Sequence, residues 1–185
     1  RQSRTSDLGR MFGFAYGEKE NGAVFSHMAV MYANALYRRG FVQEGWKALK
    51  TLADTALDFD TSRIYPGIPE YFRADGRGMY HYLTGAASWY MMTMITQVFG
   101  VRGEAGDLLL QPKLTAAQFD AEGSASVHVT FAGRRLEIRC LYRVQKVLCG
   151  DAELCAGSCD SVIIPRRVIE ALPAEQKQVF TVYLG

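Results

Sequence analysis

Two short segments carry polar groups at the start of apolar helical patterns. The first reads Lys19-Glu20-Asn21-Gly22-Ala23-Val24-Phe25-Ser26-His27, and the second reads Tyr82-Leu83-Thr84-Gly85-Ala86-Ala87-Ser88-Trp89. Together they supply a charged pair, a histidine, and a hydroxyl followed by a glycine at a helix N-terminus. Such a terminus offers free N–H groups and the positive end of the helix dipole to an anion, and a glycine lets the anion approach the backbone. The two segments therefore indicate a site for an anion and a sugar.

Each of these residues also has a structural explanation, which the residues alone leave open. Thr84 is the natural N-cap of the helix that follows, because its hydroxyl can accept a hydrogen bond from an unpaired backbone N–H. His27 could be structural, and Lys19 and Glu20 could form an ordinary solvated ion pair. Glu20 and Asn21 could equally cap the first helix.

The composition excludes two classes of partner. The chain has 185 residues, of which 49% are hydrophobic and 22% are charged, as in a soluble globular protein. The net charge of +2 gives no electrostatic basis for binding nucleic acid or an anionic membrane. No apolar run approaches the roughly 20 residues that span a bilayer. The start of the chain lacks both a signal-peptide core and an initiator methionine, so we interpret it as a cut end.

The four cysteines do not have the spacing of a metal site. Cys140, Cys149, Cys155 and Cys159 are separated by nine, six and four residues, and no histidine lies among them. The pattern favours free thiols or small core residues in a reducing cytosol, and a disulfide within the segment from Cys149 to Cys159 stays open.

The first half of the chain shows three helical patterns. One begins at Val24 and ends before Gly40, which is a typical helix C-terminal residue. A second spans 41–57 and a third spans 84–99, which is apolar on almost every side. The short connection at Gly40 predicts that the first two helices are antiparallel neighbours. Three such helices cannot bury one another's faces completely, so we expect further packing partners. The apolar repeat of the first helix consists of Val24, Met28, Met31, Ala35 and Leu36.

The second half changes from helical to alternating periodicity. Residues 58–80 form a loop rich in aromatic, proline and glycine residues, and its aromatic content argues against disorder. After residue 103, strands are predicted at 107–111, 126–131, 135–140, 162–164 and 179–184, with a hairpin turn at Gly133. The change of pattern predicts a helical part over 1–103 and a β part over 104–185.

The two motifs together resemble a known family. The pattern K-E-N-G-x-x-F-x-H, an aromatic loop, Y-L-T-G-A-A-S-W and then F-G-V-R-G is similar to the C-terminal end of the inverting glycoside phosphorylases of glycoside hydrolase family 94. That family includes cellobiose and chitobiose phosphorylases, β-1,2-oligoglucan phosphorylases and the phosphorylase-like module of cyclic β-1,2-glucan synthases. The segment from Ile64 to Gly78 looks most like the oligoglucan group. The resemblance is clear for residues 16–112 and weaker beyond them.

The resemblance implies an α+β fold. Residues 1–103 would be the last helices of an (α/α)₆ catalytic barrel, and residues 104–185 a small antiparallel β domain, similar to a β-sandwich. It also implies roles for individual residues. His27, Thr84 and Gly85 would contact phosphate, whereas Lys19 and Glu20 would contact the sugar. The general-acid aspartate and a phosphate-binding arginine would lie upstream of this chain, so the chain alone is expected to be inactive.

The implied partners are a β-linked oligosaccharide, inorganic phosphate as co-substrate and the upstream part of the same polypeptide. No cofactor, no metal and no nucleic acid is expected, and a homodimer stays open. Two other functions remain as alternatives. The fragment could be a structural or carbohydrate-contacting module without turnover, or it could belong to the module that trims chain length in a cyclic glucan synthase.

Overall fold

The computed structural model describes residues 9–64, 67–81, 85–142, 146–156 and 161–184. The chain divides into two compact units that meet between Thr93 and Met94. Within the described ranges no helix is long and apolar enough to cross a membrane. The secondary structure changes from helix to strand between Val98 and Val101. The assignment of 1–103 to a catalytic barrel and of 104–185 to a separate domain stays a prediction.

The first unit combines helices with a small antiparallel sheet whose strands lie in the order β1-β2-β3. Its pairing joins Phe25 to Tyr71 and Tyr71 to Met79. The elements are a 3₁₀ turn at Gly9–Gly13, β1 at Val24–Phe25, α1 at Ser26–Arg38, α2 at Val42–Leu57, α3 at Phe59–Ser62, β2 at Tyr71–Phe72, β3 at Gly78–Met79 and α4 at Gly85–Thr93.

Helices α1 and α2 pack as an antiparallel pair, as predicted. Tyr37 in the last turn of α1 lies against Gly45 in the first turn of α2. Ala29 near the start of α1 and Thr55 near the end of α2 line one groove. The buried face of α2 includes Leu49 and Leu52, which belong to its predicted apolar stripe.

The apolar repeat of α1 faces solvent. Met28 is 70% exposed and Met31 is 45% exposed. The opposite face, with Val30, Ala33 and Tyr37, is buried. Within this unit, α1 therefore does not pack through its predicted apolar repeat. Helix α4 is also apolar and only partly covered, with Met91 60% exposed. Apolar surface of this extent is typical of a packing interface.

The predicted loop at 58–80 contains short regular elements, namely α3, β2 and β3. Strands of two residues are too short to give an alternating pattern, so the sequence carried no signal for them.

The second unit contains two sheets that enclose one apolar core. One has the strand order β10-β5-β4, and the other has the order β6-β7-β11-β8-β9. Its elements are a π-helical turn at Met94–Val98, β4 at Val101–Glu104, β5 at Asp107–Leu110, a 3₁₀ turn at Ala116–Gln118, β6 at Ser124–Phe131, β7 at Arg134–Tyr142, β8 at Lys146–Cys149, β9 at Ala152–Ala156, β10 at Val162–Ile164, α5 at Arg166–Glu170 and β11 at Gln178–Leu184.

One strand pair in this unit is parallel, so the prediction of a wholly antiparallel domain is wrong. Strand β11 pairs in parallel with β7, with Phe180 opposite Ile138, and pairs antiparallel with β8. The chain between β7 and β11 holds three more strands and a helix, which is long enough for the crossover that a parallel pair needs. The predicted hairpin with its turn at Gly133 is confirmed as β6 and β7.

Candidate functional site

The segment that contains Lys19 forms a tight turn. The Asn21 N–H donates to the Glu18 carbonyl at 2.9 Å, and the Gly17 N–H donates to the Asn21 carbonyl at 2.6 Å. Lys19 itself has a left-handed backbone with a φ of 42°. Gly22 follows with a φ of +90°, and a Cβ added there would lie 2.9 Å from the Tyr16 ring. Both the conformation and the close ring therefore require glycine at this position.

The Asn21 side chain holds the loop before the turn. Its Nδ2 donates to the Phe14 carbonyl at 2.9 Å. The N-cap position of α1 is Phe25, which makes no side-chain cap hydrogen bond. The alternative in which Asn21 caps the first helix is therefore wrong.

The ammonium group of Lys19 lies between two aromatic rings. Its Nζ is 4.7 Å from the centroid of the Tyr80 ring and 6.0 Å from that of Phe14. Across the described ranges, no carboxylate lies within ion-pair distance of it. The neighbouring Glu18 instead faces Arg73, at 3.8 Å. The positive charge of Lys19 is thus held by ring faces, which attract a cation without neutralising it. Glu20 is exposed.

Backbone hydrogen bonds connect Tyr80, whose ring contacts this ammonium, to the start of α1. The Ser26 N–H donates to the Glu70 carbonyl at 2.9 Å, and the Glu70 N–H donates to the Tyr80 carbonyl at 3.0 Å. These bonds continue the β1–β2–β3 ladder beyond its last paired residues. Tyr80 and the first residue of α1 therefore lie at the same end of the small sheet.

Helices α1 and α4 run parallel with their N-termini together. Near those ends, the rings of His27 and Trp89 are 5.7 Å apart. Further along both helices, the buried Asn34 side chain donates to Thr93 Oγ1 at 3.0 Å. The first contact joins the N-terminal parts of the two helices, and Asn34 and Thr93 each lie eight residues after their helix start. The positive ends of both helix dipoles therefore meet on the same side of the pair.

His27 lies directly against Gly85, the first residue of α4. A Cβ added at Gly85 would be 2.8 Å from Cε1 and 2.9 Å from Nδ1 of the His27 ring. His27 Nε2 is buried and has no hydrogen-bond partner among the described residues. A buried polar atom without a partner is costly, so this nitrogen is suited to a ligand. A neutral or protonated imidazole can donate from it.

The structure gives positions for four of the five predicted site residues. The structure brings His27 and Gly85 together at the helix ends, and it places Lys19 beside Tyr80 at the linked turn. Thr84 lies outside the described residues. The binding roles of Lys19, Glu20, His27, Thr84 and Gly85 stay predictions.

Phe14, Tyr80 and Trp89 surround the predicted residues. Sequence reasoning gave Phe14 and Tyr80 no role in the site, and it favoured Trp89 as a core residue on a helical stripe over a platform for a sugar. Tyr80 and Phe14 flank Lys19, and Trp89 flanks His27. Trp89 follows Gly85 by one helical turn, so its neighbourhood could have been inferred from helix geometry. The contact between Tyr80 and Lys19 has no local signal, because 61 positions separate the two residues.

Comparison with characterised proteins gives two informative matches. The chain is 30% identical over 125 residues to a cellobionic acid phosphorylase from Neurospora crassa, which covers 60% of this chain and 16% of that protein. It is 25% identical over 123 residues to the cyclic β-(1,2)-glucan synthase NdvB from Rhizobium meliloti, which covers 61% of this chain and 4% of that protein. This chain is related to both proteins. The resemblance to phosphorylases and glucan synthases is thereby confirmed. No family model matches the chain.

The relatives are enzymes that act on carbohydrates, but the match covers only a small part of each. The chain spans about 16% and 4% of their lengths. What it shares with them is therefore one segment of each protein.

A groove of about 570 Å³ lies on the first unit. It runs between α1 and α2, and its lining includes Tyr32, Leu52 and Phe72. The four predicted site residues that the structure describes, Lys19, Glu20, His27 and Gly85, do not line it. Its walls are mostly apolar, like the exposed face of α1, and such a lining does not indicate a catalytic centre.

The second unit carries a separate ionic cluster around Glu137, which is buried. Its carboxylate accepts from Lys177 at 2.5 Å and from Arg139 at 2.6 Å, and His128 Nε2 lies 3.4 Å away. Hydrogen bonds from Lys177 and Arg139 lower the pKa of Glu137 to about 2. Each of the three side chains around Glu137 is at least 46% exposed, and the arrangement fits a surface ion-pair network.

The two cysteines whose side chains are described, Cys140 and Cys149, are free thiols. Burial raises the pKa of Cys140 to about 12, so its thiol stays protonated. Cys155 and Cys159 lie outside the side chains described. Within the described ranges, no group of three or more His, Cys, Asp or Glu side chains could hold a metal ion.

Proposed function

We propose that this chain is the C-terminal part of an inverting glycoside phosphorylase. The full polypeptide would cleave a β-glucosidic bond with inorganic phosphate and release a sugar 1-phosphate with inversion. In this proposal His27, Thr84 and Gly85 bind phosphate, and Lys19 and Glu20 contact the sugar. No cofactor is required beyond phosphate as co-substrate.

The observation that carries the proposal is the contact between His27 and Gly85 at the paired N-termini of α1 and α4. Two helix dipoles present their positive ends there, and the first turns of both helices have N–H groups without intrahelical acceptors. An imidazole nitrogen without a partner lies at the same place. These features stabilise a phosphate dianion, whereas a neutral ligand would gain little from the positive potential.

The reaction would be a single displacement. A phosphate oxygen forms a bond to the anomeric carbon while the bond from that carbon to the glycosidic oxygen breaks on the opposite face. A carboxylic acid gives its proton to the departing oxygen. Phosphate is already an anion, so the site must position it and compensate its charge rather than deprotonate it. His27 and the first turn of α4 would do this.

The general acid is proposed to lie in sequence that precedes this chain. An aspartate would supply the proton, and an arginine would complete the phosphate site. The small share of each relative that this chain covers supports that division. The upstream part of the polypeptide would also cover the exposed apolar faces of α1 and α4.

A second candidate function is supported by the match to a cyclic β-(1,2)-glucan synthase. The chain would then belong to a module that shortens β-glucan chains by phosphorolysis inside a larger synthase. The phosphate site would be the same, and the length and domain content of the full polypeptide would differ.

The test uses a polypeptide that carries this chain and the sequence before it, incubated with β-linked oligoglucans and phosphate. We expect ³¹P NMR to show a sugar 1-phosphate whose anomeric configuration is opposite to that of the cleaved bond. The variant Thr84→Val should reduce the rate about 10²–10³-fold, because a donor to the developing charge is lost. His27→Gln should raise the KM for phosphate.

His128→Gln is the matched control, because that side chain is 66% exposed and belongs to the second unit. It should leave both constants unchanged. A wild-type polypeptide that binds oligoglucans but releases no sugar 1-phosphate would refute phosphorolysis and favour a module without turnover.

A further inference from the structure

We propose that Tyr80 is the positioning residue for the sugar-contacting ammonium of Lys19. The inference rests on the proposed function, because it takes Lys19 to face a sugar. Its own support is the pair of unusual backbones and ring contacts around that lysine.

Tyr80 has a left-handed backbone conformation, which is uncommon for a bulky aromatic residue. Five non-glycine residues in the described ranges have positive φ. Ala105 and Ala132 lie in the tight turns between strands, and Arg63 is the C-cap of α3. Lys19 lies in the tight turn that the hydrogen bond from Asn21 to Glu18 closes. Tyr80, with a φ of 59°, directly follows β3.

Such a conformation costs a bulky residue about 1–2 kcal/mol, and residues of this kind cluster at binding sites. The backbone of Tyr80 is fixed by its carbonyl, which accepts from the Glu70 N–H at 3.0 Å. The consequence of the conformation is the position of the ring. Its ring centroid lies 4.7 Å from Lys19 Nζ and 5.7 Å from the centroid of the Tyr71 ring.

The ring fixes the ammonium without consuming its charge. A carboxylate at this position would neutralise Lys19 and occupy its N–H donors. An aromatic face attracts the cation through its quadrupole and contacts only the side of the ammonium that faces the ring. The remaining donors of the ammonium stay available for acceptors such as sugar hydroxyls. Burial raises the pKa of the neighbouring Tyr71, so the Tyr71 ring stays neutral.

The proposed phosphate site and the proposed sugar contact lie at different places in the first unit. His27 and Gly85 lie at the helix ends, whereas Lys19 and Tyr80 lie at the turn that is joined to Ser26 through Glu70. Loss of the Tyr80 ring should therefore weaken sugar binding and leave phosphate binding nearly unchanged.

The experiment measures separate KM values for oligoglucan and for phosphate in the polypeptide that carries this chain. Tyr80→Leu should raise the KM for oligoglucan roughly 3–30-fold, which corresponds to the loss of one cation–π contact, with little change in the KM for phosphate. Tyr80→Phe keeps the ring and should restore the wild-type value. In the background of Lys19→Met, Tyr80→Leu should have no further effect.

Tyr142→Leu is the control, because it removes an exposed tyrosine from the second unit. Equal effects of Tyr80→Leu with and without Lys19 would overturn the inference, and so would an unchanged KM for oligoglucan in an active enzyme. A second readout does not need activity. In ¹³C-methylated protein, the Lys19 methyl signal should carry a ring-current shift that Tyr80→Leu abolishes and Tyr80→Phe keeps.

The two proposals fail in different ways. A wild-type polypeptide that releases no sugar 1-phosphate overturns the proposed function and the sugar-binding part of this inference. The methylated lysine signal then decides whether Tyr80 positions Lys19. An active wild type with an unshifted Lys19 signal overturns this inference alone.

Discussion

Asn34 and Thr93 join α1 to α4 through a buried hydrogen bond of 3.0 Å. Asn34 lies eight residues after Ser26, and Thr93 lies eight residues after Gly85, so the bond connects equivalent levels of the two helices. It fixes the helices along their axes. The contact between His27 and Gly85 at their N-termini depends on that register.

We expect Thr93→Val to destabilise the chain and to weaken phosphate binding. The substitution keeps the volume but leaves the buried Asn34 amide without its partner, which costs about 1–3 kcal/mol. Urea unfolding measures the stability, and the KM for phosphate in the longer polypeptide measures the register. Thr55→Val is the control, because the Thr55 hydroxyl donates to the Thr51 carbonyl within its own helix. A Thr93→Val protein as stable as the control would contradict the role of this bond.

The stability of the second unit should fall at low pH because of Glu137. Lys177 and Arg139 lower the pKa of this carboxyl from 4.5 to about 2 in the folded state. The unfolded chain therefore binds the proton first as pH falls. The stabilisation is complete above about pH 5 and is lost between about pH 5 and pH 2. Because the cations are half exposed to solvent, we expect only about 1–2 kcal/mol.

Urea unfolding of the chain between pH 7 and pH 3 tests this expectation. Glu137→Gln should be less stable at pH 7 and should lose part of the pH dependence. Glu170→Gln is the matched control, because Glu170 pairs with Arg166 at 2.7 Å on an exposed helix. If both variants keep the wild-type pH dependence, Glu137 does not stabilise the fold in the way described.

The sequence predicted those elements that have strong periodicity and local stop signals. Helices α1 and α2 follow their apolar repeats and change direction at Gly40, and β6 and β7 alternate around Gly133. In these segments the local pattern and the tertiary contacts agree. The strand at Val162–Ile164 was predicted with its observed bounds.

Other features depend on contacts that no local pattern encodes. The parallel pairing of β11 with β7 is decided by a long crossover. The buried face of α1 contains Asn34, which a hydrophobic repeat does not select. The neighbourhood of His27 and Gly85 was expected because both residues begin helices and belong to the two resembling motifs. The cation–π contact of Lys19 arises from a strained backbone at Tyr80, for which sequence reasoning has no signal.

The exposed methionines of α1 and α4 should become protected in the longer polypeptide. Met28 is 70% exposed and Met91 is 60% exposed in this chain. If upstream sequence packs on these helices, oxidation of both residues should slow several-fold, whereas Met79, already partly buried in β3, should change least. Peroxide oxidation followed by peptide mass spectrometry measures the rates. Equal rates for Met28 and Met91 in the chain and in the longer polypeptide would show that nothing covers them.

The most specific prediction concerns the space between His27 and Gly85. In Gly85→Ala, the new Cβ would lie 2.8 Å from Cε1 of the His27 ring, which is closer than such atoms approach in proteins. The ring must then turn away from the first turn of α4, and the pair of groups that would hold phosphate is separated. Alanine is otherwise favourable in a helix, so the loss of stability should be small.

We therefore expect Gly85→Ala to raise the KM for phosphate by at least about tenfold, which is the size of a displaced charge-assisted hydrogen bond, while the KM for oligoglucan changes little. Gly13→Ala makes the same chemical change where no heavy atom lies within 4 Å of the added Cβ. Both constants should stay at wild-type values in that variant. Phosphate dependence measured at saturating oligoglucan separates the two variants. If Gly85→Ala binds phosphate as the wild type does, the anion does not lie between His27 and α4.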